Sequence, residues 1–222
     1  MSVRRIESGR VFRWVLYPIG KTFLFFFLLL FGPVKVRGRG NVPRSGGLLV
    51  AANHRSDCDP AVVGHALPRP TYFMAKEELF RVPVLGPIIR AFRAFPVKRG
   101  TPDRAAIRRA VELLKHGECV VMFPEGQLSE DGNLQPILPG ALLIARMAAV
   151  PVVCCGLRGT ERIIPFGRVL PRPALGGVSA SFGEPRTLTG VGESDALGWI
   201  AAEFLRLSGQ SEEHRRTQDA VK

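Results

Sequence analysis

From residue 34 onward, short apolar runs alternate with helix-like segments, and that alternation restricts the chain to an α/β architecture. The runs at 48–52, 95–97, 119–123, 151–157 and 178–182 read as strands. Between and after them lie helical patterns. One takes Thr101 as its cap and Pro102 as its first residue, runs through Ile107, Val111 and Leu114, and stops at Lys115-His116-Gly117. Others cover 140–149, rich in Ala and Leu, and about 195–207. The expected fold is a mixed, largely parallel twisted sheet flanked by helices, preceded by an N-terminal apolar helical membrane-anchoring motif. Residues 1–33 form that membrane-embedding or interfacial segment, 34–207 one domain, and 208–222 a polar, disordered tail.

The N-terminal segment is mostly apolar over 14–31 and ends in a Phe/Leu wall from Phe23 to Phe31, with Pro18 and Lys21 interrupting it. The uninterrupted part would reach only about 14 Å as a helix, against a hydrocarbon layer of roughly 30 Å. Counting from Trp14 gives about 27 Å but sets Lys21 inside the apolar layer, at a cost unless it snorkels. Basic residues flank both sides, Arg4, Arg5, Arg10 and Arg13 before and Lys35, Arg37 and Arg39 after. A single span usually shows asymmetry, so the flanks favour a segment that dips into one leaflet over one that crosses. No small-residue cleavage site follows Phe31, as a signal peptide would require.

Charge narrows the partners. Thirty-one basic against 19 acidic residues give a net charge of +12, which favours an anionic bilayer surface or phosphorylated and CoA-like ligands. Basic residues interleaved with exposed aromatics, or a zinc-finger spacing, would point to nucleic acid, and neither occurs. The four cysteines, Cys58, Cys119, Cys154 and Cys155, make no CxxC pair and no metal-ligand spacing, so neither a disulfide framework nor a metal site is expected.

The stretch His54-Arg55-Ser56-Asp57-Cys58-Asp59-Pro60 carries the strongest chemical signal. It follows a buried strand and precedes a helix, with Pro60 at the first helical position and Asp59 as its N-cap. The intervening loop can bring the Asp59 carboxylate to one imidazole nitrogen of His54, leaving the other to take a proton from a hydroxyl. A strand end facing a helix start is also where open α/β sheets bind ligands. The other histidines have structural explanations: His116 at a helix C-terminus, His214 in the tail, His65 packed on a helix. A covalent route through Ser56 or Cys58 lacks a G-x-S-x-G elbow. Lys98 and Arg99 end a strand as a candidate phosphate clamp, or as two solvated charges. In Phe123-Pro124-Glu125-Gly126-Gln127-Leu128-Ser129 the glycine admits close backbone approach, while Glu125 and Ser129 can bind hydroxyls or phosphate oxygens; a plain Pro-Gly turn is the competing reading.

Together, Asn53-His54-(x4)-Asp59, Phe95-Pro96-Val97-Lys98-Arg99, Phe123-Pro124-Glu125-Gly126 and Val150-Pro151-Val152-Val153 resemble the four ordered blocks of the glycerolipid acyltransferases, most nearly the bacterial 1-acyl-sn-glycerol-3-phosphate acyltransferases. Val36-Arg37-Gly38, Phe73-Met74-Ala75-Lys76 and Leu138-Pro139-Gly140-Ala141 agree, so the likeness covers about 34–190 and makes 34–207 an acyltransferase domain. The resemblance implies His54 as general base oriented by Asp59, and Lys98 and Arg99 on the acceptor phosphate. Glu125 would hold its glycerol part, backbone N–H groups near Gly126 would stabilise the oxyanion, and Pro151 would shape the acyl or acceptor pocket. It implies acyl-CoA or acyl carrier protein as co-substrate, no metal or other cofactor, and work at the cytoplasmic face of the cell membrane. One departure stands out. The family's third block continues with Thr-Arg-Ser, whereas this chain has Gln127-Leu128-Ser129, and Leu128 cannot replace a phosphate-binding arginine. Another lysophospholipid or an aminolipid acceptor therefore stays open, as does a non-catalytic basic lipid-binding protein.

Overall fold

The computed structural model describes residues 17–98, 100, 103–130, 132–168 and 170–210. Among the described residues, seven strands form one sheet: β1 (Val34–Arg37), β2 (Leu48–Ala52), β3 (Tyr72–Lys76), β4 (Ala94–Val97), β5 (Cys119–Met122), β6 (Val152–Arg158) and β7 (Val178–Phe182). Their spatial order is β1-β7-β6-β2-β5-β3-β4, and only the β6–β7 pair is antiparallel. The expected mixed, largely parallel sheet is what forms. β2, β5 and nearly all of β6 are buried, as strands covered on both faces must be, and so they read as unbroken apolar runs.

Two strands escape such reading. β1 is an edge strand, Val-Lys-Val-Arg, whose Lys35 and Arg37 point to solvent, and β3 is only half-buried along most of its length. Neither presents the continuous apolar run by which the others were recognised.

Right-handed crossovers place α2 (Asp59–Ala66) and α3 (Leu85–Ala91) on one face, and α4 (Arg104–Lys115) and α5 (Gly140–Ala148) on the other. α7 (Glu193–Ser208) joins α4 and α5, packing Ala196, Ile200 and Phe204 into their core. α1 (Tyr17–Phe31) lies over α2 and sends Leu28 into the second core. α6 (Thr160–Ile163) is a single turn after β6.

The N-terminus of α4 corrects an expectation. Its cap is Asp103; Thr101 and Pro102 lie outside the described residues. Asp103 Oδ1 accepts from the N–H groups of Ala105 and Ala106, both at 3.0 Å, and Oδ2 from that of Lys98 at 3.0 Å. The Lys98 N–H, followed by that of Ala106, holds this carboxyl below its usual range. Asp103→Ala is expected to cost about 0.5–2 kcal/mol in urea denaturation at neutral pH. Because the folded pKa is the lower one, that difference is complete above the unfolded value of about 3.9 and vanishes as pH falls through the folded value.

α1 has 15 residues, so it reaches about 22 Å, and no helix among the described residues is long and apolar enough to cross a membrane. Lys21 is accommodated within it by a specific arrangement. Its amine donates to the carbonyls of His65 (2.8 Å) and Leu67 (2.6 Å) at the C-terminus of α2. Burial, reinforced by Arg39, pushes its pKa down to about 8. α7 runs through the buried Ser208, the first residue of the tail expected over 208–222; residues 211–222, like residues 1–16, lie outside the described residues.

Candidate active site

The site is built at the carboxyl end of β2. Asn53 directly follows that strand and locks it to β6 through its side chain, Nδ2 donating to the Leu157 carbonyl (3.1 Å) and Oδ1 accepting the Leu157 N–H (2.6 Å). His54 follows, buried at 5% exposure, its ring stacked on Phe123 at 4.1 Å between centroids and 20° between planes. Its Nδ1 lies 2.9 Å from Asp59 Oδ2. That oxygen also accepts the backbone N–H groups of Arg55 (2.6 Å) and Ser56 (2.8 Å). An ionised carboxylate oxygen that accepts two amide protons can only accept the third, so in the neutral imidazole it is Nδ1 that carries the hydrogen and Nε2 the lone pair.

The spacing therefore predicted the pair, while the role of Asp59 at the helix start differs from expectation. Cys58 occupies the N-cap position without a side-chain bond, and Asp59 is the first helical residue. Its carboxylate turns back into the loop instead of capping the helix, because the loop's own amides and the imidazole offer three donors there.

The loop after β5 closes on the same histidine. Glu125 Oε1 accepts the His54 N–H (2.7 Å) and Oε2 the Gln135 N–H (2.8 Å), while the Ser129 N–H donates to the His54 carbonyl (3.0 Å). Burial pushes the Glu125 carboxyl up, against the pull of those two amides. Glu125 thus fastens two loops to His54, a positioning task that its place in a Pro-Glu-Gly turn did not suggest. Gly126 sits at φ 73°, and a Cβ there would meet Leu138 Cδ1 at 2.8 Å, so the position demands glycine. Its N–H is spent on the Phe123 carbonyl (3.1 Å), which removes it as an oxyanion donor. Ser129 Oγ donates to the Asn133 carbonyl (2.6 Å).

Two predicted residues are not brought to His54. Pro151 immediately precedes β6, which runs parallel to β2 with Val152 beside Leu49, so it sits at the opposite end of the sheet. Since β6 only begins there, it is the carboxyl end of that strand, at Leu157, that reaches the site. Lys98 is exposed at the end of edge strand β4, three strand spacings or roughly 14 Å from β2, on the same edge as His54. Arg99 lies outside the described residues. Asn53 and Phe123 stand within the recognised blocks, but nothing in their spacing announced the strand lock or the ring stack.

Cys58 is buried at 2% exposure, and burial, with Asp59 and Asp57 adding, pushes its thiol up to about 12. A thiol so raised stays protonated at neutral pH and is a poor nucleophile. Cys58→Ala is expected to keep activity within a few-fold and to trap no acyl-enzyme on the denatured protein by mass spectrometry. No group of three or more His, Cys, Asp or Glu able to hold a metal occurs among the described residues.

The chain is similar to several known proteins. The 1-acyl-sn-glycerol-3-phosphate acyltransferase of Bacillus subtilis is 37% identical over 134 residues, covering 60% of this chain and 66% of that protein. The protein of the same name from Streptococcus pneumoniae is 31% identical over 176 residues, 74% of this chain and 62% of its own length. The chain spans less than two thirds of these relatives. The crystal structure of the 1-acyl-sn-glycerophosphate (LPA) acyltransferase PlsC from Thermotoga maritima superposes with a TM-score of 0.76 at 28% identity, over 92% of this chain and 84% of that one. Residues 33–158 match the family profile described as Acyltransferase. That match takes in β1 through β6 with both loops that close on His54, more than half of the chain, and this protein belongs to the acyltransferase family.

Proposed function

We propose that the protein is a membrane-associated O-acyltransferase that moves a fatty acyl group from acyl-CoA or acyl carrier protein to the free hydroxyl of 1-acylglycerol-3-phosphate, forming phosphatidic acid. The observation that carries this reading is the His54 Nδ1–Asp59 Oδ2 contact at 2.9 Å, with the aspartate oxygen held by two backbone amides. The relatives, named for acyl transfer to 1-acyl-sn-glycerol-3-phosphate, support the substrate class.

His54 Nε2 takes the proton of the acceptor hydroxyl as its oxygen attacks the thioester carbonyl. The tetrahedral intermediate collapses with loss of the C–S bond, and the imidazolium returns its proton to the departing thiolate. An ester and a free thiol result, with no acyl-enzyme. Asp59 keeps the imidazole in one tautomer and balances its transient charge. Amides next to Gly126, such as those of Gln127 and Leu128, are assigned to the oxyanion. Lys98 and Arg99 take the acceptor phosphate across the carboxyl ends of β5 and β3. No metal takes part.

Leu128 favours a second reading, in which the same chemistry serves another lysophospholipid or an aminolipid. The apolar outer side of α1, with Phe23, Phe26 and Leu30 all more than half exposed, supports association with one leaflet of the cytoplasmic side of the cell membrane.

The test is transfer of labelled acyl groups, from CoA and from carrier protein, to phosphorylated and unphosphorylated lysolipids by wild type and His54→Ala. Transfer to 1-acylglycerol-3-phosphate by the wild type alone supports the reading. Transfer only to unphosphorylated acceptors replaces the acceptor, and equal transfer by His54→Ala sinks the mechanism.

A further inference from the structure

α1 is not the only apolar surface the protein turns outward. Val84 and Leu85, at the start of α3, are 74% and 38% exposed, and Ile88 one turn on is 46% exposed. Val84 holds φ 68°, a conformation that a β-branched residue seldom adopts, and one that fixes an apolar side chain facing solvent. Between α6 and β7, Phe166, Leu170 and Leu175 are 47%, 81% and 86% exposed. Isolated exposed apolar residues need no explanation, but these are grouped.

The topology puts all of them around one edge. The segment leading into α3 leaves the carboxyl end of β3, the sheet edge at which His54 stands. The segment after α6 leaves the carboxyl end of β6 and enters β7, which runs the other way, so it spans the same edge. α1 ends at that edge, where the Ala174 N–H donates to the Phe31 carbonyl (2.6 Å), while its Gly20 lies against the Phe92 ring at the end of α3 remote from Val84. The segment is also tied to the catalytic loop, since Ser56 Oγ donates to the Ile164 carbonyl (2.8 Å). Cations accompany the apolar tips: Arg162, Arg168 and Arg172 against Glu161 in one segment, and Arg81 and Arg90 against Glu77 and Glu78 around the other, Arg81 being paired with Glu77 at 2.9 Å.

We propose that the start of α3 and the residues Phe166, Leu170 and Leu175 form, with the C-terminal end of α1, a three-part docking surface for an anionic phospholipid bilayer, which seats the His54 edge against the lipid. This rests on the reading that the acceptor is a lysolipid, which resides in such a bilayer. Apolar tips fringed by arginine match the acyl boundary and the phosphate layer of an interface together.

The test uses the full chain and flotation with phosphatidylcholine vesicles, alone or mixed with phosphatidylglycerol. The wild type should bind, and more tightly to the anionic mixture. The pairs Leu170→Glu/Leu175→Glu and Val84→Glu/Ile88→Glu should each lower partitioning roughly tenfold or more. All four residues are exposed, so thermal unfolding should match wild type. Leu170→Trp should fluoresce and be quenched by brominated lipid beyond the wild-type background. If both pairs partition like wild type while Phe23→Glu/Leu30→Glu does not, α1 alone meets the membrane and the proposal is overturned. If the pairs change only the mass seen by light scattering, the surface joins two copies and the proposal fails. If the wild type binds neither vesicle, the membrane reading fails with it.

Discussion

His54→Ala is expected to lower kcat for acyl transfer roughly 10²–10⁴-fold while leaving the protein folded. The magnitude follows from which nitrogen is free. Asp59 Oδ2 already accepts two amide protons and so takes the Nδ1 hydrogen, leaving Nε2 of the neutral ring with the lone pair that the proposed base role requires. The substitution removes that base and the stack on Phe123, but not the bonds that shape the loop. The His54 N–H to Glu125 and the Ser129 N–H to the His54 carbonyl are backbone bonds and survive it. Thermal unfolding by circular dichroism should therefore move by only a few degrees while turnover collapses. Activity within tenfold of wild type would falsify the general-base role. A comparable loss of unfolding temperature and activity would instead make His54 a packing residue.

Gly156→Ala carries the largest expected effect on stability. Gly156 lies in β6 directly beneath α7, and a Cβ there would sit 2.4 Å from Leu207 Cβ, 2.5 Å from its carbonyl carbon and 2.6 Å from the Ser208 nitrogen. Two of those three atoms are backbone, so no rotamer change relieves the overlap. Either α7 lifts from β6 or the central strand bends, and the helix carries Ile200 and Phe204 into the core, both fully buried. Overpacking of this kind costs about 3 kcal/mol. For a chain of this size that corresponds to a fall of roughly 6–12 °C in Tm. A shift of less than about 1 kcal/mol in urea denaturation would mean that α7 can move freely over the sheet.

Much of the fold and part of the site could be read without coordinates. β2, β5 and β6 are covered on both faces, so burial wrote them as the apolar runs at 48–52, 119–123 and 151–157. β1 could not be read that way, because an edge strand needs Lys35 and Arg37 on its open side. The start of α4 was misplaced by two residues: Thr-Pro and Asp are both good openings, and only Lys98, arriving from β4, gives Asp103 its third donor. Similar limits hold at the site. Glu125 was visible as a polar residue in a turn, but its two oxygens meet partners 71 and 10 residues away in sequence. Pro151 shares a block with strand residues, yet the direction of β6 carries it away from His54.

The sequence by itself determined the α/β class, the pairing of His54 with Asp59, the basic and apolar character of the molecule, and its likeness to one acyltransferase family. Each of these depends on residues close together in the chain, on periodicity, or on short ordered blocks. Only the tertiary structure decided which groups close around His54, that Cys58 is sealed as a protonated thiol, and that Lys21 caps α2 through two carbonyls. It also placed the exposed apolar residues at the start of α3 and after α6 along the sheet edge where His54 stands. Contacts between distant parts of a chain depend on strand order and direction, and local residue patterns carry neither.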